Sequence, residues 1–505
     1  MTLPRAILLL ALIAGALLRA GRLDVRPMHT DEAVHAVKFG DLLERGVYRY
    51  DRTEYHGPTL NYFSLIPAWL SSEKTLAQVT ETTLRIVPVF FGFVLIGLPI
   101  LIARADALPA SIAGLLTACS PAMVFYSRYY IQEMLLVTFA FGCIVAAHRA
   151  LVRRSAIWSA VAGICAGLMS ATKETWIIQF GLMVIAALIV IALRKRHGES
   201  VPRPRGVDLL AACLSFCAVP VILYSSFFTH WPGVADAVTA YGTYVTRAGE
   251  TSRHGHPFLY YIGLLAGSQG EHGPLWTELA ILAAGLAGIV GSLRRGEGPG
   301  RHGFELFIAL YALLLMLALS SLPYKTPWLM LGALQPLIVV AGFAIAALVR
   351  RLDGRWPRAI VVTATALVTL HLGWQAYMGS YVYSDDPVNP YVYSQPNDDI
   401  RQIAQAVTHA ASSVDAAVLV VCTGSDYWPL PWYFRQLPRV GWWSAIDSTF
   451  VPATVILVSP DLEQALLARL YEVPPPGKRN LYVSLFERPM YLRPGKEIRG
   501  YARYD

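Results

Sequence analysis

The sequence predicts a polytopic α-helical membrane protein of about eleven membrane helices, followed by a small α/β domain. Three observations lead to this prediction. Long apolar runs recur from the N-terminus to about residue 377, and the composition changes to a mixed pattern after them. The chain is 55% hydrophobic and only 15% charged, whereas a soluble domain carries about 25% charged residues. We therefore expect an integral membrane protein.

The apolar runs have the length of membrane-spanning helices, which need ~20 residues to cross a bilayer core with their backbone groups satisfied internally. The predicted spans are residues 6–18, 84–103, 108–126, 132–150, 156–172, 175–193, 207–228, 275–293, 304–322, 328–349 and 359–377. The first run is short and also fits the apolar region of a signal peptide. Because Arg19 and Arg22 follow it and can snorkel to extend a short span, we expect residues 1–20 to be retained.

The basic residues predict the orientation of these spans. If the N-terminus is cytoplasmic, most arginines fall in alternate loops, whereas the short loops on the other side hold little more than Arg128, Lys173 and Lys325. This asymmetry follows the positive-inside rule. The formal charge of +8 is therefore mostly topological, and no basic patch with interleaved aromatic residues predicts nucleic-acid binding.

Polar motifs collect in the loops that this topology places outside the cytoplasm. The long first loop, 19–83, contains MHTDEAVHAVKFG and EYHGPTLNYF, and shorter loops contain YSRYYIQE, ATKET and LPYKTPW. Ionisable groups at the ends of membrane helices commonly mark a substrate site. The residues that we expect to form it are Asp31, Glu32, Tyr55, His56, Arg128, Glu133, Lys173, Glu174, Tyr324 and Lys325.

Each of these residues also has an ordinary structural interpretation. Arg128 could snorkel with Glu133 as its partner, and Lys173 with Glu174 could be a solvated surface pair. The very short turn between the fifth and sixth spans favours a site, because it holds a lysine and a glutamate at the rim with little freedom to leave.

A metal site is an open alternative at the acidic pair. His29, Glu32 and His35 could reach one ion if residues 29–35 are helical. The six cysteines show neither a disulfide framework nor a zinc-ligand spacing. We expect no resident metal or other cofactor, with a divalent cation left open.

A second long external loop lies at residues 229–273, between the seventh and eighth spans. Its segment FLYYIGLLAG is too short to cross a bilayer and predicts a re-entrant or interfacial helix. Such a helix could roof a cavity, or it could be a plain anchor.

The last part of the sequence predicts a separate domain. Residues 1–379 form the membrane part, 380–396 are a linker rich in Tyr, Pro and Asp, and 397–505 alternate helical and strand patterns. Helices are predicted at DDIRQIAQAVTHA, LPWYFRQL and DLEQALLARLYE, with buried strands at AAVLVVCTG and ATVILVSP. By the parity of the spans this small α/β domain lies outside the cytoplasm. Without a phosphate-binding glycine loop or nucleophile elbow, it is expected to pack or to dock an acceptor.

The ordered motifs resemble a known family. The acidic pair soon after the first span, HGPTLNYF, S-R-x-x-x-x-E before the fourth span and A-T-K-E before the sixth are together similar to the GT-C glycosyltransferases. Among these the chain resembles the protein O-mannosyltransferases and the bacterial aminoarabinose transferase of lipid A. LPYKTPW and TGSDYWPLPWYFR look closer to a subgroup named for association with a flippase in archaeal N-glycosylation. The resemblance covers about residues 1–350. The chain lacks the W-W-D-Y-G-type motif of oligosaccharyltransferases.

The resemblance implies transfer of a sugar from a polyprenyl-phosphate carrier to a protein, glycan or lipid acceptor on the outer face, with inversion. A carboxylate that takes the acceptor proton contributes about 10²- to 10⁴-fold, and fixed cations stabilise the leaving phosphate. The predicted base is Asp31, with Glu32 as orienting neighbour or substitute. Arg128, Lys173 and Lys325 are the predicted phosphate ligands, and Tyr55, His56, Glu133, Glu174 and Tyr324 complete the substrate site. Adjacent acids point in different directions on a helix, so a glycosidase-like pair is not expected.

Two other functions remain open from the sequence. A transporter or flippase-associated subunit would move lipid-linked sugars without cutting them, but its expected internal repeats and acids within spans are not apparent. An inactive scaffold would present the C-terminal domain to a complex, and Arg128 and Glu133 would then form only a salt bridge.

Overall fold

A computed structural model describes residues 2–52, 56–103, 107–248, 255–294, 301–413 and 416–504. Its helices are α1 (Leu3–Ala20), α2 (Thr30–Arg45), α3 (Thr59–Leu70), α4 (Glu81–Gly97), α5 (Leu108–Cys119), α6 (Pro121–Ser127), α7 (Glu133–Arg153), α8 (Ala156–Ser170), α9 (Trp176–Arg196), α10 (Gly206–Tyr224), α11 (Pro232–Ala248), α12 (Tyr260–Ala266), α13 (Leu279–Arg294), α14 (Arg301–Ser321), α15 (Leu331–Arg351), α16 (Arg355–Tyr377), α17 (Asp399–Ala410), α18 (Leu430–Tyr433) and α19 (Pro460–Tyr471). Its strands are β1 (Val418–Val421), β2 (Val440–Trp443), β3 (Val455–Val458), β4 (Tyr482–Ser484), β5 (Met490–Arg493) and β6 (Lys496–Arg503). Short 3₁₀ turns lie at Leu76–Gln78, Leu98–Ile102 and Pro327–Met330, and a π-helical turn follows α16 at Met378–Val382.

The chain divides into two compact units. The membrane unit comprises Met1–Leu23, Arg45–Ser71 and Thr82–Tyr393. The second, here the C-terminal unit, comprises Asp24–Glu44, Ser72–Glu81 and Ser394–Asp505. The two units therefore separate within the predicted linker. The C-terminal unit also takes in two pieces of the loop 19–83, one of which carries the acidic pair.

The membrane unit contains the predicted spanning helices. Eight helices of the described residues are long and apolar enough to cross a bilayer, and the bent pair α5 and α6 makes nine if it forms one span. The apolar helices α8 and α13 are shorter. Each of these helices overlaps one of the predicted spans. The prediction of a polytopic helical architecture is confirmed, and the chain is a multi-pass membrane protein.

The third predicted span, 108–126, is not the continuous helix that its apolar run suggested. Helix α5 ends at Cys119 and α6 begins at Pro121, and their axes differ by 61°. Proline has no N–H to donate and disfavours a helical conformation in the residue before it. Ser120 accordingly leaves the helical region, with ψ at 122°, and the helix restarts in a new direction.

A buried glutamate stabilises this bend. Glu278, which is fully buried, accepts hydrogen bonds from the Ser120 hydroxyl at 2.6 Å, the Ala122 amide at 3.0 Å and the Tyr391 hydroxyl at 2.9 Å. It thereby satisfies a backbone N–H in the first turn of α6 that has no partner within the helix. Tyr391 belongs to the predicted linker and is itself buried. Its bond to Glu278 therefore attaches this part of the linker to the bend.

Helices α8 and α10 approach closely through two glycines. A Cβ at Gly163 would lie 2.2 Å from the carbonyl oxygen of Ala212, and one at Gly167 would lie 2.8 Å from the Val219 side chain. The spacing G-x-x-x-G places both on one face of α8, a pattern that lets membrane helices pack backbone to backbone. This packing supports the helix that ends at the ATKET loop.

The two long loops that the sequence predicted to be external contain helices of their own. The first loop forms α2 and α3. The second contains a short helix, α12, within the predicted FLYYIGLLAG segment, and it also forms α11, which the sequence analysis did not predict.

The C-terminal unit contains the predicted α/β domain. Its sheet has the order β2-β1-β3-β6-β4, and β5 pairs with β6. Strands β1, β2 and β3 are parallel, whereas β6 is antiparallel to β3, β4 and β5. The predicted helices and strands are confirmed as α17, β1, α18, β3 and α19. Strands β2, β4, β5 and β6 were not predicted.

Both faces of this sheet are covered, because the side chains of β3 alternate between two cores. Val455 and Leu457 pack with Ile400 and Ile403 of α17, whereas Ile456 packs with α19. A strand buried on both faces carries a continuous apolar run, which explains why ATVILVSP predicted a strand without alternation.

Candidate functional site

The acidic pair begins helix α2, which starts at Thr30. Glu32 is fully buried. One of its carboxylate oxygens accepts the His29 amide at 3.0 Å, and the other accepts the Arg26 guanidinium at 3.3 Å. A glutamate in the third helical position that bonds back to the N-cap amide is half of a capping box. The contacts of Glu32 are therefore those of a structural residue.

Asp31 differs from its neighbour in exposure. Its side chain is 46% exposed, and its carboxylate lies 4.0 Å from the nearer ring nitrogen of His29. The Asp31 amide donates to that nitrogen at 3.1 Å, which holds the backbone rather than the carboxylate. Of the two adjacent acids, Asp31 alone has a carboxylate that a substrate can reach.

The metal alternative at the acidic pair is wrong for the proposed ligands. Among the described residues, no three His, Cys, Asp or Glu side chains are grouped so that they could hold an ion. The oxygens of Glu32 are engaged by Arg26 and the backbone, and one nitrogen of His29 accepts the Asp31 amide. His29, Glu32 and His35 therefore form no metal triad.

In the membrane unit, the HGPT and ATKE motifs dock on each other. The Gly57 amide donates to the Thr172 carbonyl at 3.1 Å, and the Thr59 amide donates to the Ala171 carbonyl at 3.2 Å. The hydroxyls of Thr59 and Thr172 are 2.8 Å apart. A Cβ at Gly57 would lie 2.2 Å from the Ala171 oxygen, so only glycine allows this approach.

The docked loops bring His56 and Glu174 together. The Nδ1 atom of His56 lies 2.7 Å from the Glu174 carboxylate, which also accepts the Tyr50 hydroxyl at 3.3 Å. Burial by itself raises the pKa of Glu174, but the charge and hydrogen bond of His56 outweigh it and leave this pKa below its ordinary value. Glu174 is therefore held as an anion. The predicted site residue Tyr55 lies outside the described residues.

Lys173 forms a buried ion pair with Glu133. Its ammonium donates to the Glu133 carboxylate, and the two side chains are 10% and 5% exposed. Glu133 is thus the partner of Lys173, not of Arg128 as the salt-bridge alternative assumed. Because Lys173 follows the turn after α8 and Glu133 begins α7, the pair joins two helix ends.

The ion pair borders a small cavity, about large enough for a single water molecule. The lining residues are Glu133, Leu136, Val137, Lys173, Thr175, Gln179, Leu319, Trp328, Leu329 and Gly332. The Thr175 hydroxyl and the Gln179 carbonyl oxygen are buried without a hydrogen-bond partner in the described part of the chain. A buried polar atom without a partner is uncommon. The cavity thus combines apolar walls with an ion pair and two unsatisfied polar atoms.

Arg128 holds the end of the first membrane helix. Its guanidinium donates to the carbonyl oxygens of Arg19, Gly21 and Arg22 at 2.7, 2.7 and 2.9 Å. It also lies over the Tyr381 ring, 4.3 Å from the centroid. A cation at the carboxyl end of a helix satisfies free carbonyls and complements the helix dipole.

Lys325 also bonds to backbone. Its ammonium donates to the carbonyl oxygens of His256, at 2.9 Å, and of Leu322. Tyr324 beside it is 47% exposed. Neither Lys325 nor Arg128 lines the cavity at Lys173.

Solved structures share this architecture. ArnT from Cupriavidus metallidurans bound to undecaprenyl phosphate is 15% identical, with a TM-score of 0.64 over 98% of this chain and 97% of that one. Apo ArnT from the same organism gives 14% identity and a TM-score of 0.60 over the same shares. The chain has a GT-C fold.

This fold confirms the architectural part of the GT-C resemblance. A mycobacterial arabinofuranosyltransferase, AftD, is 15% identical with a TM-score of 0.45, and the match covers 99% of this chain and 39% of that larger protein. No protein-family model and no curated protein sequence matches this chain.

Sequence reasoning missed part of the cavity of this GT-C fold. Thr175 ends the ATKET motif and Gln179 lies in the predicted sixth span, but neither was among the predicted site residues. They are four residues apart, so they share one face of a helix. Two polar residues at that spacing in an otherwise apolar run were the available signal.

Proposed function

We propose that the protein is a membrane glycosyltransferase that moves a sugar from a polyprenyl-phosphate carrier to an acceptor hydroxyl outside the cytoplasm. The observation that carries the proposal is the contrast within the acidic pair in the first turn of α2, where Glu32 is buried and caps the helix and Asp31 is half-exposed. The GT-C fold supports it, because one ArnT structure with this fold is bound to undecaprenyl phosphate.

Asp31 serves as the general base in this proposal. The acceptor oxygen attacks the anomeric carbon from the face opposite the carrier, and its proton passes to the Asp31 carboxylate. The bond between the anomeric carbon and the phosphate oxygen breaks, and its electron pair leaves with the polyprenyl phosphate. One displacement inverts the anomeric centre, so a single carboxylate is sufficient.

Lys173 serves as a ligand of the carrier phosphate. A cation in a water-poor site is worth more against developing negative charge than the same cation in bulk water. The small cavity beside Lys173 has both apolar walls and unsatisfied polar atoms. Arg128 and Lys325 remain predicted phosphate ligands, although their hydrogen bonds go to backbone carbonyls.

The topology and the finer family assignment belong to the same proposal. The distribution of basic loops favours a cytoplasmic N-terminus and an external C-terminal domain. The acceptor is a protein, glycan or lipid. The similarity to mannosyltransferases and to the archaeal flippase-associated subgroup rests on the sequence motifs alone.

A deletion strain tests this function. Membrane lipids from the deletion strain, analysed by mass spectrometry, should accumulate a polyprenyl phosphate carrying one sugar, and the wild-type gene should clear it. A gene carrying Asp31→Asn should not clear it, although the protein reaches the membrane. An unchanged lipid pool in the deletion strain would overturn the proposal.

An assay with purified protein distinguishes sugar transfer from transport of the lipid carrier. The protein is supplied with undecaprenyl or dolichyl phosphate carrying a single hexose or pentose, together with membrane extract as acceptor. Release of free polyprenyl phosphate is expected from the wild type. Movement of the labelled carrier across a liposome bilayer without any release would favour the transporter alternative instead.

A further inference from the structure

The carboxyl ends of strands β1 and β3 lie side by side in the C-terminal unit, because the two strands are parallel and pair along their whole length. The chain leaves them toward opposite faces of the sheet. After β1 it leads to α18, whose Leu430 packs in the core with α17, and after β3 it leads to α19, whose Leu466 packs in the core on the other face. In open α/β sheets, ligands bind at the carboxyl ends of two strands whose connections diverge in this way.

Polar side chains from both connections meet at these strand ends. Thr423, two residues after β1, donates its hydroxyl to the carboxylate of Asp461 in the first turn of α19. Asp426 in the loop after β1 accepts Arg493 at 3.1 Å and Lys496 at 2.6 Å. Lys496 begins β6, which is antiparallel to β3 and therefore starts beside its carboxyl end. Thr423 and Asp461 are exposed, and Asp426 and Lys496 are partly exposed, so solvent and solutes reach this polar group.

Aromatic rings adjoin these polar side chains. Tyr427 follows Asp426 directly, and its ring centroid lies 4.9 Å from that of Trp442 and 5.7 Å from that of Trp428. Trp442 lies near the end of β2 and is 37% exposed. Because β2 is parallel to β1 and pairs with it on the side away from β3, its carboxyl end lies beside that of β1. The exposed surface therefore combines aromatic rings with carboxylates, a hydroxyl and an ammonium.

This combination favours a neutral saccharide over an anion or an apolar chain. A sugar ring packs its C–H groups on an aromatic face, which carries partial negative charge. Its hydroxyls donate to carboxylates and accept from ammonium and hydroxyl groups. Asp461 and Glu463 both lie in the first turn of α19, so two carboxylates already complement the N-terminus of this helix and repel an anionic ligand.

We propose that the carboxyl ends of β1, β2 and β3 bind a neutral saccharide, and that this saccharide is part of the acceptor. The inference rests on the proposed function and narrows its acceptor to a molecule that already carries sugar. Asp31 belongs to the same compact unit as these strands, so the proposed base and the proposed acceptor site are parts of one unit. The saccharide surface consists of Thr423, Asp426, Tyr427, Trp442, Asp461 and Lys496.

Binding can be tested without a donor or turnover. The full-length protein is purified in amphipol, since maltoside and glucoside detergents would occupy a saccharide site. Neutral disaccharides of mannose, glucose, galactose and N-acetylglucosamine are the probes, and saturation-transfer difference NMR detects the sugar protons that contact protein. At least one disaccharide should bind to the wild type, with its C–H protons receiving the transfer. Binding of none of them, or binding of inorganic phosphate in place of sugar, would overturn the proposal.

Two variants assign the binding to the saccharide surface. Trp442→Ala should weaken it by about tenfold, since it removes the aromatic face. Thr423→Val keeps the shape of an exposed side chain and should weaken it by about 2- to 10-fold, the value of one hydrogen bond. Tyr504→Ala is the matched control, because this residue is also an exposed aromatic but follows β6 at the opposite end of the sheet. Wild-type affinity in both Trp442→Ala and Thr423→Val would overturn the proposal, and a thermal melt of each variant shows that it is folded.

Exposed tryptophan and tyrosine also anchor proteins in the membrane interface, which is the competing explanation of Trp442. The protein is placed in nanodiscs that contain brominated phosphatidylcholine, which quenches tryptophans in contact with lipid. The wild type and Trp442→Phe should lose the same amount of fluorescence to the brominated lipid. A smaller loss in Trp442→Phe would place Trp442 against lipid and overturn the saccharide surface.

The saccharide surface and the proposed function fail in distinguishable ways. If the wild type binds a disaccharide but releases no polyprenyl phosphate from any donor, the proposed function fails and the binding site stands. If the wild type is active, Trp442→Ala should raise the amount of membrane extract needed for half-maximal release by about tenfold and leave KM for the donor unchanged. An active wild type with the same requirement for extract as Trp442→Ala would overturn the saccharide surface alone.

Discussion

Asp31→Asn should abolish transfer and leave folding intact, whereas Glu32→Gln should mainly destabilise the protein. The two carboxylates are adjacent in sequence, but Asp31 is 46% exposed and Glu32 is fully buried. A substitution that removes one negative charge from each therefore acts on catalysis at one position and on stability at the next.

The catalytic effect follows from general base catalysis. Loss of the base should reduce kcat by about 10²- to 10⁴-fold, which corresponds to roughly 3 to 5 kcal/mol of activation free energy. Asp31 is half-exposed, and its backbone bond to His29 is kept in the variant. The free energy of unfolding of the protein should therefore change by less than about 0.5 kcal/mol.

The stability effect at the neighbouring residue follows from two contacts. Glutamine in place of Glu32 keeps one acceptor for the capping bond but removes the anion beside Arg26, which is 5% exposed. Removing one member of a buried, hydrogen-bonded ion pair costs about 3 to 5 kcal/mol. Loss of the capping bond would add about 1 kcal/mol.

Both effects are measured on purified protein, by polyprenyl phosphate release and by detergent unfolding followed by tryptophan fluorescence. Asp24→Asn is the matched control, because this exposed carboxylate lies in the same segment and should affect neither measurement. Retention of full kcat by Asp31→Asn, or unchanged stability of Glu32→Gln, would refute the assignment of the two roles.

Further predictions concern the membrane unit. Lys173→Met or Glu133→Gln alone should lower the free energy of unfolding by about 3 to 5 kcal/mol, and a double-mutant cycle without coupling would contradict the buried pair. Gly57→Ala should lower Tm, because its Cβ would lie 2.2 Å from a carbonyl oxygen; an unchanged thermal melt would argue against the docked loops. The pKa of Glu174 is lowered in the folded protein, so the stability it contributes is present above the ordinary glutamate pKa of about 4.3 and is lost as pH falls through the lower folded value. As pH is lowered below about 5, the Tm of the wild type should therefore fall more steeply than the Tm of Glu174→Gln. Parallel curves of Tm against pH would contradict the ion pair of Glu174 with His56.

Much of the membrane fold could be predicted from the sequence because its constraints are local. A helix in a bilayer satisfies its backbone within one segment, so an apolar run of sufficient length is enough to place each span. The break at Ser120 was missed for the opposite reason. Pro121 in an apolar run permits several outcomes. The bent one is stabilised by distant Glu278, whose carboxylate accepts hydrogen bonds from the Ser120 and Tyr391 hydroxyls.

In the C-terminal domain, too, some elements could be predicted from the sequence and others could not. Strands β1 and β3 were predicted because parallel strands buried on both faces are continuously apolar. Strands β2, β4, β5 and β6 were not, because they carry mixed residues, are only partly buried and pair with partners distant in sequence. The inclusion of Asp24–Glu44 in this unit likewise has no local signal.

The candidate site shows what the sequence and the tertiary structure each determined about this protein. The sequence by itself determined which chemical groups are available, namely an acidic pair soon after the first span and cations at the ends of spans, since residue identity and apolar run length are local properties. Only the tertiary structure decided that Glu32 is buried against Arg26, that Glu133 pairs with Lys173 and that Arg128 holds the end of α1. Exposure and pairing depend on which remote segments pack against a side chain, and no spacing along the chain encodes that.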